Sequence, residues 1–141
     1  MRAIIGSEYS ATVVPLIDAA RRSIDVIVFD WRWYTNDPGN CVQIFNQSIV
    51  SAVRRGVKVR VIGNSEDVLK ILRSVGCETK KIFSKRLVHA KMILIDDCDI
   101  VVGSHNFSFQ AFTLNQEISV YISDFPDAPR VLDYFNSLFS S

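Results

Sequence analysis

His89-Ala90-Lys91-Met92-Ile93-Leu94-Ile95-Asp96, followed by Gly103-Ser104-His105-Asn106-Phe107, sets a histidine and a lysine into a run that otherwise reads as buried β-strand. Side chains two apart on a strand share a face. His89 and Lys91 therefore point one way, and Val88, Ala90, Met92 and Leu94 the other. An imidazole beside an ammonium makes a poor core and a good phosphate site. The turn that follows offers the Ser104 hydroxyl and the Asn106 amide as donors, where Gly103 permits close backbone approach. Asp96 comes seven residues after His89 and has the opposite parity, so it is expected to cap the turn or pair with a structural donor.

Outward from this stretch the chain alternates strands and helices without an internal repeat. Strands are expected at Arg2–Ile5, Ile24–Trp31, Val57–Ile62, Thr79–Phe83, Leu87–Ile95, Ile100–Gly103 and Gln116–Ile122. Helices are expected at Tyr9–Arg22, Cys41–Arg55, Glu66–Val75 and Ala128–Phe139. Gly56 and Gly76 close two of them, and Ser65 stands as an N-cap ahead of the acids Glu66 and Asp67. Residues 31–40 form a loop with the turn chemistry of Asn36-Asp37-Pro38-Gly39, and Ser84–Arg86 form another. The pattern predicts an α/β layer fold, a mixed sheet flanked by helices, as a single domain over residues 1–141.

The composition is that of a globular protein, 48% hydrophobic and 22% charged. No apolar run approaches the roughly 20 residues that span a bilayer. The N-terminus lacks the apolar core of a signal peptide, so a cytoplasmic location is expected if Met1 is the native start. Cys41, Cys77 and Cys98 are too widely spaced for a zinc site and odd in number, and read as reduced thiols. The net charge of +1 conceals an asymmetry: residues 54–91 carry +8, residues 1–53 carry −1 and residues 92–141 carry −6. A basic middle leading into the His/Lys strand suits a polyanionic substrate; the alternative is a set of ordinary solvated faces.

Phosphodiester hydrolysis needs a nucleophile, charge stabilisation on the nonbridging oxygens and an acid for the leaving alkoxide. His89 suits the first task by forming a phosphohistidine, and Lys91 the second. Glu117 is either a surface strand acid or the acceptor of the second imidazole N–H.

These residues resemble the signature of the phospholipase D superfamily: His-X-Lys, four residues, Asp, and Gly-Ser-X-Asn downstream. The match is His89, Lys91 and Asp96, then Gly103, Ser104 and Asn106, with Glu117 where the family has an acidic residue. The chain is similar to the small single-motif bacterial endonucleases of that superfamily. The resemblance implies a metal-independent phosphodiesterase with a histidine nucleophile, Lys and Asn as phosphate ligands, and no cofactor. It also implies a homodimer, because larger relatives carry two copies of the motif and single-motif members pair up. Nucleic acid is the expected substrate and no membrane partner is expected. The same chemistry would serve a phospholipase or phosphatidyl-transferring enzyme, and a non-cleaving nucleic-acid-binding module is the third reading.

Two features stay open at this level. The second proton-transfer group is either His105 or a second copy's His89. Trp31, Trp33 and Tyr34 either stack bases or pack a sheet edge or interface, while Phe107, Phe109 and Phe112 are expected in the core.

Overall fold

Valine and isoleucine at alternate positions build the centre of a seven-stranded sheet. Its strands are β1 (Arg2–Ile5), β2 (Ser23–Ile27), β3 (Lys58–Gly63), β4 (Glu78–Lys81), β5 (Met92–Ile95), β6 (Asp99–Gly103) and β7 (Ile118–Ile122). Their spatial order is β1-β7-β6-β5-β2-β3-β4. The strands β2, β3 and β4 run parallel, and the rest pair antiparallel, giving the mixed sheet that the sequence predicts. The computed structural model describes residues 1–82 and 85–141, so Phe83 of the expected strand and Ser84 of the expected loop lie outside the described residues.

The two faces of the sheet bury different helices. Ile24, Val26, Val59, Val61, Ile93 and Ile95 face a core shared with α1 (Tyr9–Asp18), α2 (Cys41–Arg54), α3 (Glu66–Ser74) and α4 (Phe109–Thr113). On the other face Ile27, Ile62, Met92, Leu94 and Ile100 pack on Ala128 and Phe135 of α5 (Ala128–Phe139). Strand parity also brings Asp25 and Arg60 to the α5 face. Arg60 Nε donates to Asp25 Oδ1 at 2.7 Å, while its guanidinium lies 4.8 Å from the Phe135 ring centroid and 5.5 Å from that of Phe139. That hydrogen bond holds the Arg60 pKa above its usual value.

Several expected boundaries move. The strand expected at Leu87–Ile95 begins only at Met92, because its neighbours end there: Met92 pairs with Ile27 on one side and Val102 on the other. Residues 87–91 therefore run beyond the sheet end. Likewise β2 stops at Ile27 rather than Trp31, and β7 starts at Ile118 rather than Gln116. The first helix ends at Asp18, four residues before Arg22, and Gly6–Glu8 form a 3-10 turn ahead of it. The helix α4 was not expected from periodicity, being only five residues long; its cap signal is Ser108, whose side chain accepts from Ala111 N–H. Ser65 precedes α3 but makes no side-chain cap bond. Gly56 takes the left-handed conformation expected of it, with φ +95°.

Toward the β1 edge, α5 no longer covers its face. Ile5 pairs with Ile118 and Val120 with Val102, which puts all four on that face. Ile5, Ile118 and Val102 are 57%, 60% and 36% exposed.

Candidate active site

Strand directions bring the motif residues to one end of the sheet. The carboxyl ends of β2, β3 and β4 lie there, together with the start of β5, the end of β6 and the start of β7. Ligands of open α/β sheets collect at such carboxyl ends. The loops leaving this end carry His89, Lys91, Ser104, Asn106 and Glu117. Asp96 ends up at the opposite end, just past β5.

His89 is exposed, and Lys91 Nζ lies almost equidistant from its two ring nitrogens, 3.0 Å from Nδ1 and 3.1 Å from Nε2. Both pack against Phe29, which follows β2 by two residues. Its ring centroid is 5.0 Å from the imidazole centroid and 5.7 Å from Lys91 Nζ. Partial burial pushes the Lys91 pKa below its usual value, against the opposing charge of Glu117. Phe29 gives no signal in the sequence, since it meets His89 only through the β2–β5 pairing.

Asn106 is fixed by its carbonyl. Its Oδ1 accepts from Asp30 N–H at 3.0 Å, and its amide nitrogen has no partner among the described residues. An amide held this way keeps its two N–H donors for a substrate oxygen.

Two expected roles need correction. The Ser104 hydroxyl donates to Glu117 Oε1 at 2.6 Å and accepts from Ile118 N–H at 3.0 Å, so its hydrogen is already committed. Glu117 Oε2 accepts from Asn115 Nδ2 at 3.1 Å, and the expected carboxylate–imidazole bond to His89 is not formed within the chain. The Glu117 charge bears on Lys91, and its carboxylate holds the Ser104 hydroxyl. Gly103 is required for another reason: a Cβ there would sit 2.3 Å from Ser119 Cα, so β6 and β7 approach as only glycine allows.

His105 is 1% exposed, with its ring centroid 4.6 Å from that of Tyr9. Its Nε2 lies 2.8 Å from the Gly6 carbonyl and its Nδ1 lies 2.7 Å from Ser119 Oγ. A carbonyl only accepts, so Nε2 carries the hydrogen and Nδ1 accepts from the serine. Burial also pushes its pKa down. Both nitrogens are occupied, and the ring cannot pass a proton to a substrate at the sheet end.

Asp96 takes a left-handed φ of 53° and gathers the start of β2. Its Oδ1 accepts from the backbone N–H of Arg22 at 2.7 Å, of Ser23 at 3.0 Å and of Arg21 at 3.2 Å. Burial alone would raise its pKa, but these donors outweigh it and hold the carboxyl below its usual value.

The aromatic cluster divides. Trp31 is 3% exposed, donates to Asn46 Oδ1 at 2.6 Å and stands edge-on to Phe107. The Tyr34 hydroxyl accepts from Phe109 N–H. Trp33 is partly buried and lines a cleft with Phe29 and Asn106. Phe107 and Phe112 lie in the core, whereas Phe109 is 39% exposed, since it opens α4 on the surface.

The basic segment does not form one patch. Arg54, Arg55 and Lys58 lie at the end of α2 and the start of β3, away from the motif, and Arg60 is spent on Asp25. Lys80, Lys81 and Arg86 line a cleft of about 580 Å³ at the end of β4, near His89 in the chain. Among the described residues one group brings three metal-ligating atoms together, Cys98, Asp99 and Asp124, at the Asp96 end of the sheet. No helix among the described residues is long and apolar enough to cross a membrane.

An exposed imidazole, a neighbouring cation and an oriented amide thus meet at the mouth of a mixed sheet. The family model described as "Cardiolipin synthase, PLD-like domain" matches residues 13–139, so the chain belongs to the phospholipase D-like family of phosphodiesterases. Among solved structures it is similar to NucT from Helicobacter pylori, with a TM-score of 0.84 at 18% identity, covering 99% of this chain and 95% of that one. It is also similar to Nuc from Salmonella typhimurium, a phospholipase D family member, with a TM-score of 0.82 at 20% identity and coverage of 99% and 94%. These two likenesses show the fold. A Caenorhabditis elegans protein named probable phospholipase D F09G2.8 is 24% identical over 127 residues, 80% of this chain but 23% of its own length. The chain therefore spans about a quarter of that relative.

Proposed function

We propose that this chain is a phosphodiesterase acting on nucleic acid through a covalent phosphohistidine, without a metal ion, as a homodimer with one motif per subunit. The observation that carries it is the exposed His89 imidazole with Lys91 Nζ 3.0 Å away, beside the free amide of Asn106. A lone pair on His89 attacks phosphorus, the N–P bond forms and the P–O bond to the leaving strand breaks. Lys91 and Asn106 hold the nonbridging oxygens, and water then cleaves the N–P bond and regenerates the imidazole. The departing alkoxide needs a proton. His105 is sealed in the core, and His89 is the only other histidine in the chain. The second proton donor is then the His89 of a second copy, docked over the bare apolar strip of Ile5, Val102 and Ile118 beside the site. A cytoplasmic setting belongs to the same reading.

Labelled single- and double-stranded DNA, RNA and phospholipid vesicles, each with excess EDTA and a His89→Ala control, test the substrate and the metal independence together. Nucleic-acid cleavage that survives EDTA and disappears in the control is expected. A divalent-metal requirement would falsify the mechanism, and binding without cleavage would leave a docking module. The dimer is tested by mixing subunits: with equal parts wild type and His89→Ala, random pairing leaves roughly a quarter of the activity, not half. A second reading, phosphatidyl transfer, draws on the cardiolipin synthase description of the family model. Turnover of vesicles alone would establish it.

A further inference from the structure

The cleft beside the site, about 640 Å³, shares Phe29 and Asn106 with the His89 edge. That volume falls in the range of small-molecule sites, about 300–1,000 Å³. Its other walls include Trp33, Arg32, Ser65 and Asp67. The charge lining it repels a second phosphate: Arg32 Nε is held by Asp30 at 3.0 Å, and the Asp67 carboxylate is left over. A phosphate bound at His89 and Lys91 thus borders a recess that is aromatic, hydrogen-bonding and mildly negative. The nucleic-acid component with those properties is the base. Trp33 and Phe29 offer aromatic surface, and Asp67 and Ser65 offer partners for exocyclic amino and ring nitrogen groups, Ser65 Oγ being unused as a helix cap.

We propose that this cleft receives an unpaired nucleobase of the strand whose phosphate sits at His89 and Lys91. The proposal rests on the nucleic-acid reading above and narrows it to single-stranded substrate. In a duplex the same base must first leave its stack, at a cost of a few kcal/mol.

The test compares intact single strands with strands carrying abasic sugars. Wild type should cleave the abasic strand with a kcat/KM lower by roughly ten-fold, the scale of one lost stacking contact. Trp33→Ala should be slow on both strands without a further loss on the abasic one, and Trp33→Phe should restore the difference. Binding is read independently on His89→Ala protein. The chain has two tryptophans and Trp31 is buried, so quenching of tryptophan emission by an intact strand reports the partly exposed Trp33. The quench should vanish in Trp33→Phe. Equal cleavage of intact and abasic strands, or saturation without quenching, overturns the cleft alone. Cleavage of bis(4-nitrophenyl) phosphate with neither strand touched overturns the nucleic-acid reading and the cleft with it. Competition by phosphocholine and not by nucleotides assigns the cleft to a cationic headgroup and overturns the proposal.

Discussion

Lys91 holds its proton less firmly than an exposed lysine, because burial penalises the ammonium, and the charge of Glu117 works against that loss. If the ammonium is the active form, activity must fall on the alkaline side earlier than an ordinary lysine would dictate. Glu117→Gln removes the supporting charge, so the alkaline limb of the kcat/KM profile should move to lower pH. A limb that stays put or moves upward would show that Lys91 does not control it. The relation between His89 and Lys91 was legible because it is local: residues two apart stay on one side even where the strand has ended. The structural role expected of Asp96 is the one seen, but parity is not its cause: β5 carries Asp96 to the opposite end of the sheet. The partners were not legible. His105 is buried through Gly6, 99 residues away, and Glu117 is drawn off by Ser104, 13 residues back, neither of which a linear pattern contains.

Helix α5 is pinned to the sheet by one cation. Arg60 neutralises Asp25 on β2 and stacks on Phe135 and Phe139, so it joins three elements. Asp25 Oδ2 already lacks a hydrogen-bond partner among the described residues. Arg60→Met keeps most of the aliphatic packing but strands a buried carboxylate. Breaking one side of a buried pair costs about 3–5 kcal/mol. Urea unfolding should show a loss in that range, and Asp25→Asn with Arg60→Met should recover part of it; a loss below about 1 kcal/mol would mean that the pair is screened by solvent. At this scale the sequence displayed the elements but not their ends. Alternation of valine and isoleucine marked the central strands, yet β5 begins only at Met92 because β2 and β6 end beside it, and a strand's length is a property of its neighbours. Among the described α-helices α4 escaped notice, being too short for a helical period to register.

Across the molecule, charges divide between the two ends of the sheet. The end with His89 and Lys91 exposes its chemistry, while the other binds the Asp96 carboxylate to the backbone of Arg21, Arg22 and Ser23. The bare strip of Ile5, Val102 and Ile118 adjoins the first of these. Ile118→Lys places a charge in its middle at a position already open to solvent, so the subunit should fold normally. Sedimentation should report a monomer, with activity down at least ten-fold on the two-subunit reading. Full activity in a monomer would contradict it. The β1–β7 pairing has a last consequence. Residues 2–5 wait for residues 118–122 before they have any neighbour in the sheet. A chain emerging from the ribosome can assemble the parallel half early, but the strand that starts beside Glu117 arrives late, and such distant contacts are slow to form. A half-made copy therefore lacks the strand that seats the serine–glutamate pair, and this edge of the candidate site is completed only once β7 has been made.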